Sequence, residues 1–171
     1  DIRQRCASGG VTTQVLIDLL SSQEIDYCVA VKFSNITAPY FKPTICKSAD
    51  DVLASRGSKY YPIEFSTVLR EIKKNPGDCA IVCLPCVAKA LRRLREEDKE
   101  FARIKYLVCL TCGHNKTVNY LDFLAEHYGV TQPLNHVSFR TKGNYPFANY
   151  SLEVSGENGN KIRQNFFNGT I

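Results

Sequence analysis

Apolar and polar residues are distributed along the chain in a way that predicts strands and helices in turn. Short, continuous apolar runs are typical of buried strands, and they occupy residues 26–33, 42–48, 79–83 and 104–110. Apolar residues at helical spacing predict helices between and after them, at residues 9–22, 48–55, 65–77, 87–97 and 118–129. Strands that alternate with helices favour an α/β fold, in which a mostly parallel sheet is flanked by helices.

The pattern changes after Gly129. From residue 134 onward, apolar and polar positions alternate, and Glu157-Asn158-Gly159 has the composition of a tight turn. These features predict a C-terminal extension built on an antiparallel hairpin. We therefore divide the chain into an α/β domain at residues 1–130 and a β-rich extension at residues 131–171. The extension is either a small second lobe or an edge of the same sheet.

Composition argues against several classes of protein. The 171 residues carry a net charge of +5, and no run approaches the roughly 18 apolar residues of a membrane-spanning helix. No nucleic-acid-binding motif accompanies the basic residues, and no signal peptide is visible, so we predict a cytoplasmic protein. The chain lacks methionine and opens close to a glycine pair, so we expect a piece of a longer protein.

Two Cys-x-x-Cys motifs, Cys83–Cys86 and Cys109–Cys112, each follow a predicted strand. The carboxyl ends of parallel strands meet at one edge of a sheet, where helix N-termini favour the thiolate form of cysteine. The spacing resembles a zinc-ribbon frame. Ribbons, however, place their cysteines on tight β-turns, whereas here each first cysteine ends an apolar run. Zinc binding, thiol redox chemistry, iron–sulfur ligation and purely structural cysteines are therefore the open alternatives.

Four motifs in a fixed order narrow these alternatives. They are SGGV at residues 8–11, RGSKYYP at 56–62, CLPCVAKALRRL at 83–94 and CLTCGHNKT at 109–117. Together they resemble the family of coenzyme F420 hydrogenase/dehydrogenase beta subunits, which contains iron–sulfur flavoproteins. The chain departs from the family pattern at Cys83, Leu84 and Val87, where the family has Gly, Thr and Gln.

The resemblance implies two cofactors, FAD and a [4Fe–4S] cluster. Only Cys86 and Cys112 fall on the recurring cysteines of the family, so these two are the predicted metal ligands. Cys83 and Cys109 are interpreted as buried core residues, because each ends an apolar run. Two cysteines do not complete a cluster, so further ligands must come from other cysteines of the chain or from an upstream segment.

The resemblance also implies which residues contact the flavin. The predicted set is Ser8, Gly9, Gly10, Thr12, Gly57, Ser58, Lys59, Tyr60, His114 and Asn115. Glycines before a helix allow close approach of a phosphate, and the helix N-terminus attracts anions. Lys59 is expected to neutralise a phosphate or the reduced flavin, and Tyr60 to stack on an aromatic ring. The glycine-rich turn and the loop around Lys59 should then face one cleft. Arg140 is either a charge on an edge strand or a contact for an acidic substrate.

These features predict an oxidoreductase subunit that passes electrons between an iron–sulfur donor and a small redox substrate through FAD. The predicted partners are ferredoxin-like proteins or hydrogenase/dehydrogenase subunits. Segment 89–100 carries both basic and acidic residues, and it is either a solvated helix face or a docking surface for an acidic, ferredoxin-like partner. The alternative is a zinc-stabilised or cofactor-free interaction domain without catalysis.

Overall fold

The computed structural model describes residues 2–34, 38–142, 150–159 and 161–165. The helices are α1 (Ile2–Arg5), α2 (Val11–Ser21), α3 (Ala49–Ala54), α4 (Ser66–Lys74), α5 (Pro85–Glu97) and α6 (Tyr120–His127), with a 3₁₀ turn at Lys99–Phe101. The strands are β1 (Tyr27–Phe33), β2 (Phe41–Cys46), β3 (Cys79–Cys83), β4 (Ile104–Cys109), β5 (Leu134–Lys142), β6 (Tyr150–Gly156) and β7 (Lys161–Asn165). Every helix and strand predicted between residues 9 and 129 is present, with ends that differ by a few residues.

The first four strands form one sheet in the order β2-β1-β3-β4. β1 pairs with β3, and β3 with β4, in parallel, whereas β2 runs antiparallel to β1. The predicted α/β fold with a mostly parallel sheet is therefore confirmed. Cys83 pairs with Cys109 in the β3–β4 register, so both strands end at the same edge of the sheet.

Helices pack on both faces of this sheet. Successive residues of a strand point to opposite faces, so each strand contributes side chains to both layers of packing. Tyr27 and Val29 of β1 join a buried cluster with the apolar side chains of α4 and α5, among them Val68, Ile72, Ala88 and Leu91. Cys28 and Ala30 face the other side and pack with Leu16 of α2 and Val52 of α3. A sheet buried on both faces explains the continuous apolar runs of the sequence.

Local signals in the sequence account for several helix ends. Ser48 caps α3, since its Oγ accepts a hydrogen bond from the Asp51 N–H at 3.1 Å. α4 ends at Lys74, just before Pro76 and Gly77, and Gly77 adopts a φ of +104° that favours glycine. Among the described residues, no helix is long and apolar enough to span a bilayer.

The last three strands form a separate antiparallel sheet in the order β5-β6-β7. The predicted hairpin is present, with Gly159 at a φ of +75° in its turn. This sheet packs on the first part of the molecule through one buried cluster that includes Tyr40, Phe41, Tyr61, Leu121, Leu134, Phe139 and Leu152. The extension is thus a sheet of its own and not an edge of the first one. The division near residue 130 stays a prediction, and residues 143–149, 160 and 166–171 lie outside the described part.

Candidate functional site

One cavity of about 860 Å³ lies where the two Cys-x-x-Cys motifs and the glycine-rich turn meet. Four stretches of chain supply most of its walls, namely residues 6–13, 55–63, 82–87 without Pro85, and 110–115. The other lining residues are Leu16, Ala30, Val31, Phe65 and Arg140. All the residues that the sequence predicts to bind the flavin line it, and so do Cys86 and Cys112. The predicted cleft shared by Gly9 and Lys59 therefore exists, while the binding roles of these residues remain predictions.

The charge of the cavity wall has one sign. Among the described lining residues, Arg56, Lys59 and Arg140 are cationic, and none is Asp or Glu. A concave surface lined by one sign of charge raises the local concentration of oppositely charged ligands. The cavity is therefore suited to a ligand that carries phosphate or carboxylate groups.

The glycine-rich turn leads directly into α2. Gly10 is the N-cap residue of this helix, with a φ of +83°, and as a glycine it has no side chain to cap the helix. The first-turn amides of α2 therefore have no side-chain acceptor on the N-cap residue, and they carry the positive end of the helix dipole. A side chain at residue 10 would place its Cβ 2.7 Å from Cγ2 of Ile2, so both conformation and space require glycine there.

The loop at residues 57–60 holds a lysine whose charge is already engaged by the backbone. The Lys59 ammonium donates to the carbonyls of Ser55, Arg56 and Gly57, at 2.7 Å to Arg56 and 2.9 Å to Gly57. Burial of the ammonium lowers the pKa of Lys59 to about 8, and the nearby charge of Arg56 acts in the same direction. Lys59 thus restrains the backbone that follows α3, and it adds positive charge to the cavity wall.

Tyr60 is anchored by the second sheet. Its ring meets Phe139 of β5 edge-to-face, with 5.6 Å between the centroids. Phe139 in turn packs against Phe41 at 5.9 Å. Tyr60 also lines the cavity, so the packing between the two sheets sets the position of an aromatic ring in the cavity wall.

Cys86 and Cys112 lie at the carboxyl edge of adjacent parallel strands, as the repeated motif predicts. Cys86 is in the first turn of α5, Cys112 follows β4, and both thiols are exposed at the cavity. Within the described ranges, however, no group of three or more His, Cys, Asp or Glu side chains is arranged to hold a metal ion. The two cysteines therefore form at most part of a ligand set.

The first cysteines of the two motifs behave differently from one another. Cys83 is buried, and burial raises the pKa of its thiol to about 12. Cys109 is exposed, so the prediction that both are core residues is wrong for Cys109. Cys109 is the last residue of β4, which is one of the two outer strands of the described sheet, and its side chain is not covered there.

Sequence reasoning missed Arg56 as a cavity residue and left the role of Arg140 open. Arg56 is the first residue of the RGSKYYP motif, so membership of that motif could have indicated it. Arg140 follows Asn115 by 25 positions, and no local pattern connects it to the other lining residues. Among the described residues of the second sheet, Arg140 is the one that lines the cavity.

Comparison with known proteins identifies the family. Residues 1–70 match the family model described as coenzyme F420 hydrogenase/dehydrogenase, beta subunit N-term, and residues 77–163 match the model for its C terminus. The chain belongs to the family of coenzyme F420 hydrogenase/dehydrogenase beta subunits. The two models divide just before β3, not near residue 130 where the pattern of the sequence changes.

Two relatives show how far the similarity extends. A protein of Methanosarcina mazei that is named as a component of F(420)H(2) dehydrogenase is 32% identical over 108 residues, which are 63% of this chain and 31% of that protein. A chain of the F420-reducing [NiFe] hydrogenase complex from Methanosarcina barkeri matches 96% of this chain with a TM-score of 0.69 at 16% identity. The present chain spans 56% of that hydrogenase chain, and the match shows that the two share a fold.

Proposed function

We propose that this beta-subunit chain binds FAD in the cavity and takes part in electron transfer between an iron–sulfur donor and a small redox substrate. The observation that carries the proposal is the composition of the cavity. Family motifs from four separate stretches of chain converge on one space of about 860 Å³ that is lined by three cations and no described carboxylate. This volume falls within the range of about 300–1,000 Å³ that is usual for small-molecule and cofactor sites.

The residues present fit the anionic part of FAD. The pyrophosphate needs amide donors and positive charge, which the uncapped N-terminus of α2 and the cations of the wall offer. Ser8, Gly9 and Gly10 would allow the closest approach, because the two glycines present no side chain. Thr12, one residue into the helix, brings a hydroxyl donor to the same wall.

Residues from other stretches of the cavity wall fit the ring system. Tyr60 presents an aromatic ring that Phe139 holds in place, and Leu110 adds exposed apolar surface at the cavity. Lys59 and Arg140 would stabilise negative charge on the reduced ring. Bound flavin supplies one- and two-electron chemistry, and the protein supplies orientation, charge and exclusion of water.

The residues described do not by themselves fit an iron–sulfur cluster. Cys86 and Cys112 remain the predicted ligands on this chain, and a four-cysteine set needs two more thiolates. Cys6 and Cys83 also line the cavity, but both are buried. We therefore assign no electron-transfer step to a cluster within this chain and place the iron–sulfur donor on a partner subunit or a ferredoxin-like protein.

The substrate is inferred from the relatives. The matching Methanosarcina mazei protein is named for F(420)H(2), and the Methanosarcina barkeri complex is named as F420-reducing. We infer that a deazaflavin of the F420 type is the small redox substrate of the complete protein. A hydrogenase or dehydrogenase subunit is then the expected electron-transfer partner.

Titration with FAD and with riboflavin tests the proposal. We expect quenching of flavin fluorescence at 1:1 stoichiometry, with FAD bound at least tenfold more tightly than riboflavin because only FAD carries the pyrophosphate. The variant Arg56→Gln should reduce this preference, whereas Lys161→Gln, an exposed change of equal charge in β7, should leave it unchanged.

Two results would contradict the proposal. Equal affinity for FAD and riboflavin would show that the cavity does not recognise the pyrophosphate. Protein that binds no flavin but contains one equivalent of zinc after purification would favour the alternative, a zinc-stabilised interaction domain. Elemental analysis of the same sample distinguishes the two results.

A further inference from the structure

Lys142, the last residue of β5, links the second sheet to the glycine-rich turn. Its ammonium donates hydrogen bonds to the backbone carbonyls of Arg3 and Ser8, with 2.6 Å between Nζ and the Ser8 oxygen. Ser8 precedes Lys142 by 134 positions, so this contact depends on how the second sheet packs on the N-terminal segment. The side chain of Lys142 is half-buried.

An irregularity in β5 lies just before Lys142. The pairing of β5 with β6 shifts register between Ser138 and Thr141, and such bulges redirect the side chains around them. Arg140 falls within this stretch, lines the cavity, and stacks its guanidinium on the ring of Tyr150 at 4.0 Å. The same end of β5 therefore supplies one cation to the cavity wall and another to the turn beside it.

Holding the Ser8 carbonyl orients the peptide unit that joins Ser8 to Gly9. A trans peptide is planar, with its C=O and N–H antiparallel, so the Gly9 N–H points away from Lys142. Gly9 and Gly10 have no Cβ to restrict their backbone, and without an external contact this turn would sample many orientations. Lys142 removes part of that freedom from a turn that lines the cavity.

We propose that Lys142 is a positioning residue for the anionic group of the cofactor. By holding Ser8 it orients the amide N–H of Gly9 for an anion, which makes the second sheet part of the binding site. The inference rests on the proposed function, because the anion it invokes is the pyrophosphate of FAD. Lys142 acts through the turn, whereas Arg140 belongs to the cavity wall itself.

Backbone ¹⁵N relaxation of the ligand-free protein tests the link between Lys142 and the turn. In Lys142→Met the order parameters of residues 8–10 should fall from about 0.85, the value of rigid backbone, to below about 0.6. Lys142→Arg should restore the high order parameters, since a guanidinium can donate to both carbonyls. Lys161→Met, the matched loss of a lysine in the same sheet, should leave the turn unchanged. If Lys142→Met does not fold, Lys142→Gln takes its place.

Ligand binding tests the consequence for the site. The preference for FAD over riboflavin should fall about tenfold in Lys142→Met and stay near the wild-type value in Lys142→Arg and Lys161→Met. Unchanged order parameters in a folded Lys142→Met protein, or lower order parameters with an unchanged preference, would overturn the inference. If the wild-type protein binds no FAD, the proposed function fails, and inorganic pyrophosphate replaces FAD as the probe for Lys142.

Discussion

At the scale of single residues, Lys59 carries a charge that bound ligand should influence. The pKa of its ammonium is lowered to about 8 because the group is desolvated among backbone carbonyls. A phosphate bound in the cavity would favour the charged form and raise this pKa again. The protonation state of Lys59 is therefore expected to change on binding at mildly alkaline pH.

Calorimetry can detect that change as uptake of protons. At about pH 8.5, FAD binding should take up a fraction of a proton, because part of the Lys59 population is neutral in the free protein. Measurement in two buffers with different ionisation enthalpies gives the number of protons. Lys59→Arg remains charged at this pH and should bind FAD with almost no uptake. Equal uptake by both proteins would show that another group is responsible.

The eight thiols differ in accessibility. Cys86, Cys109 and Cys112 are exposed, and the other five are buried. We therefore expect a thiol reagent to label these three residues rapidly in the native, reduced protein and all eight only after unfolding. Mass spectrometry of the labelled peptides identifies the order. Labelling of Cys83 as fast as Cys109 would contradict the assignment of Cys83 to the core.

Burial of the Cys83 thiol also has a consequence for stability. Its pKa is about 12 in the folded protein against an ordinary value of 9, so the folded chain holds this proton more tightly than the unfolded chain. The contribution is complete below about pH 9 and is lost as the pH rises toward 12. Urea denaturation across this range should show a smaller loss of stability for Cys83→Ala than for the wild type. Identical pH profiles would contradict the raised pKa.

At the scale of elements, the entry into α2 depends on the conformation of one glycine. Gly10 combines a φ of +83° with a neighbour 2.7 Å from the position of an added Cβ. Gly57 has a φ of +92° but open space around it, and Gly113 has open space without a positive φ. These three glycines all line the cavity. Comparing substitutions at them separates the free-energy cost of a positive φ from the cost of a steric clash.

Substitution of each of these glycines by alanine should lower the unfolding free energy by a different amount. Gly113→Ala should be nearly neutral, Gly57→Ala should cost about 1 kcal/mol of unfolding free energy, and Gly10→Ala should cost about 2 kcal/mol or more. Urea denaturation measures all three, with Gly113→Ala as the control for a new methyl group in the cavity wall. An equal cost for Gly57→Ala and Gly10→Ala would mean that Ile2 moves aside easily.

At the scale of the whole molecule, the two sheets share a core and should unfold together. Phe139 of β5 is buried and contacts Phe41 of the first sheet and Tyr60 of the cavity loop. Phe139→Ala should therefore lower the unfolding free energy by about 3–5 kcal/mol while the protein retains a single transition. Thermal denaturation followed by circular dichroism and by tyrosine fluorescence tests this. Two separate transitions would favour independent domains divided near residue 130.

The sequence by itself determined the order and kind of the elements, and the motifs that identify the family. Apolar periodicity, helix caps and turn residues act over a few positions, so they can be interpreted without knowledge of the fold. The parallel arrangement of β3 and β4 followed from the strand–helix alternation, and it correctly placed Cys86 and Cys112 at one edge.

Only the tertiary structure decided which side chains share the cavity and which cysteines are covered. Cys83 and Cys109 end similar apolar runs, but Cys83 lies on an inner strand and is buried, whereas Cys109 lies on one of the two outer strands of the described sheet and is exposed. Arg140 and Lys142 reach the N-terminal part of the chain because the second sheet packs there through Phe139 and its neighbours. Such contacts depend on many packing interactions between residues far apart in the chain. A local sequence pattern therefore cannot predict them.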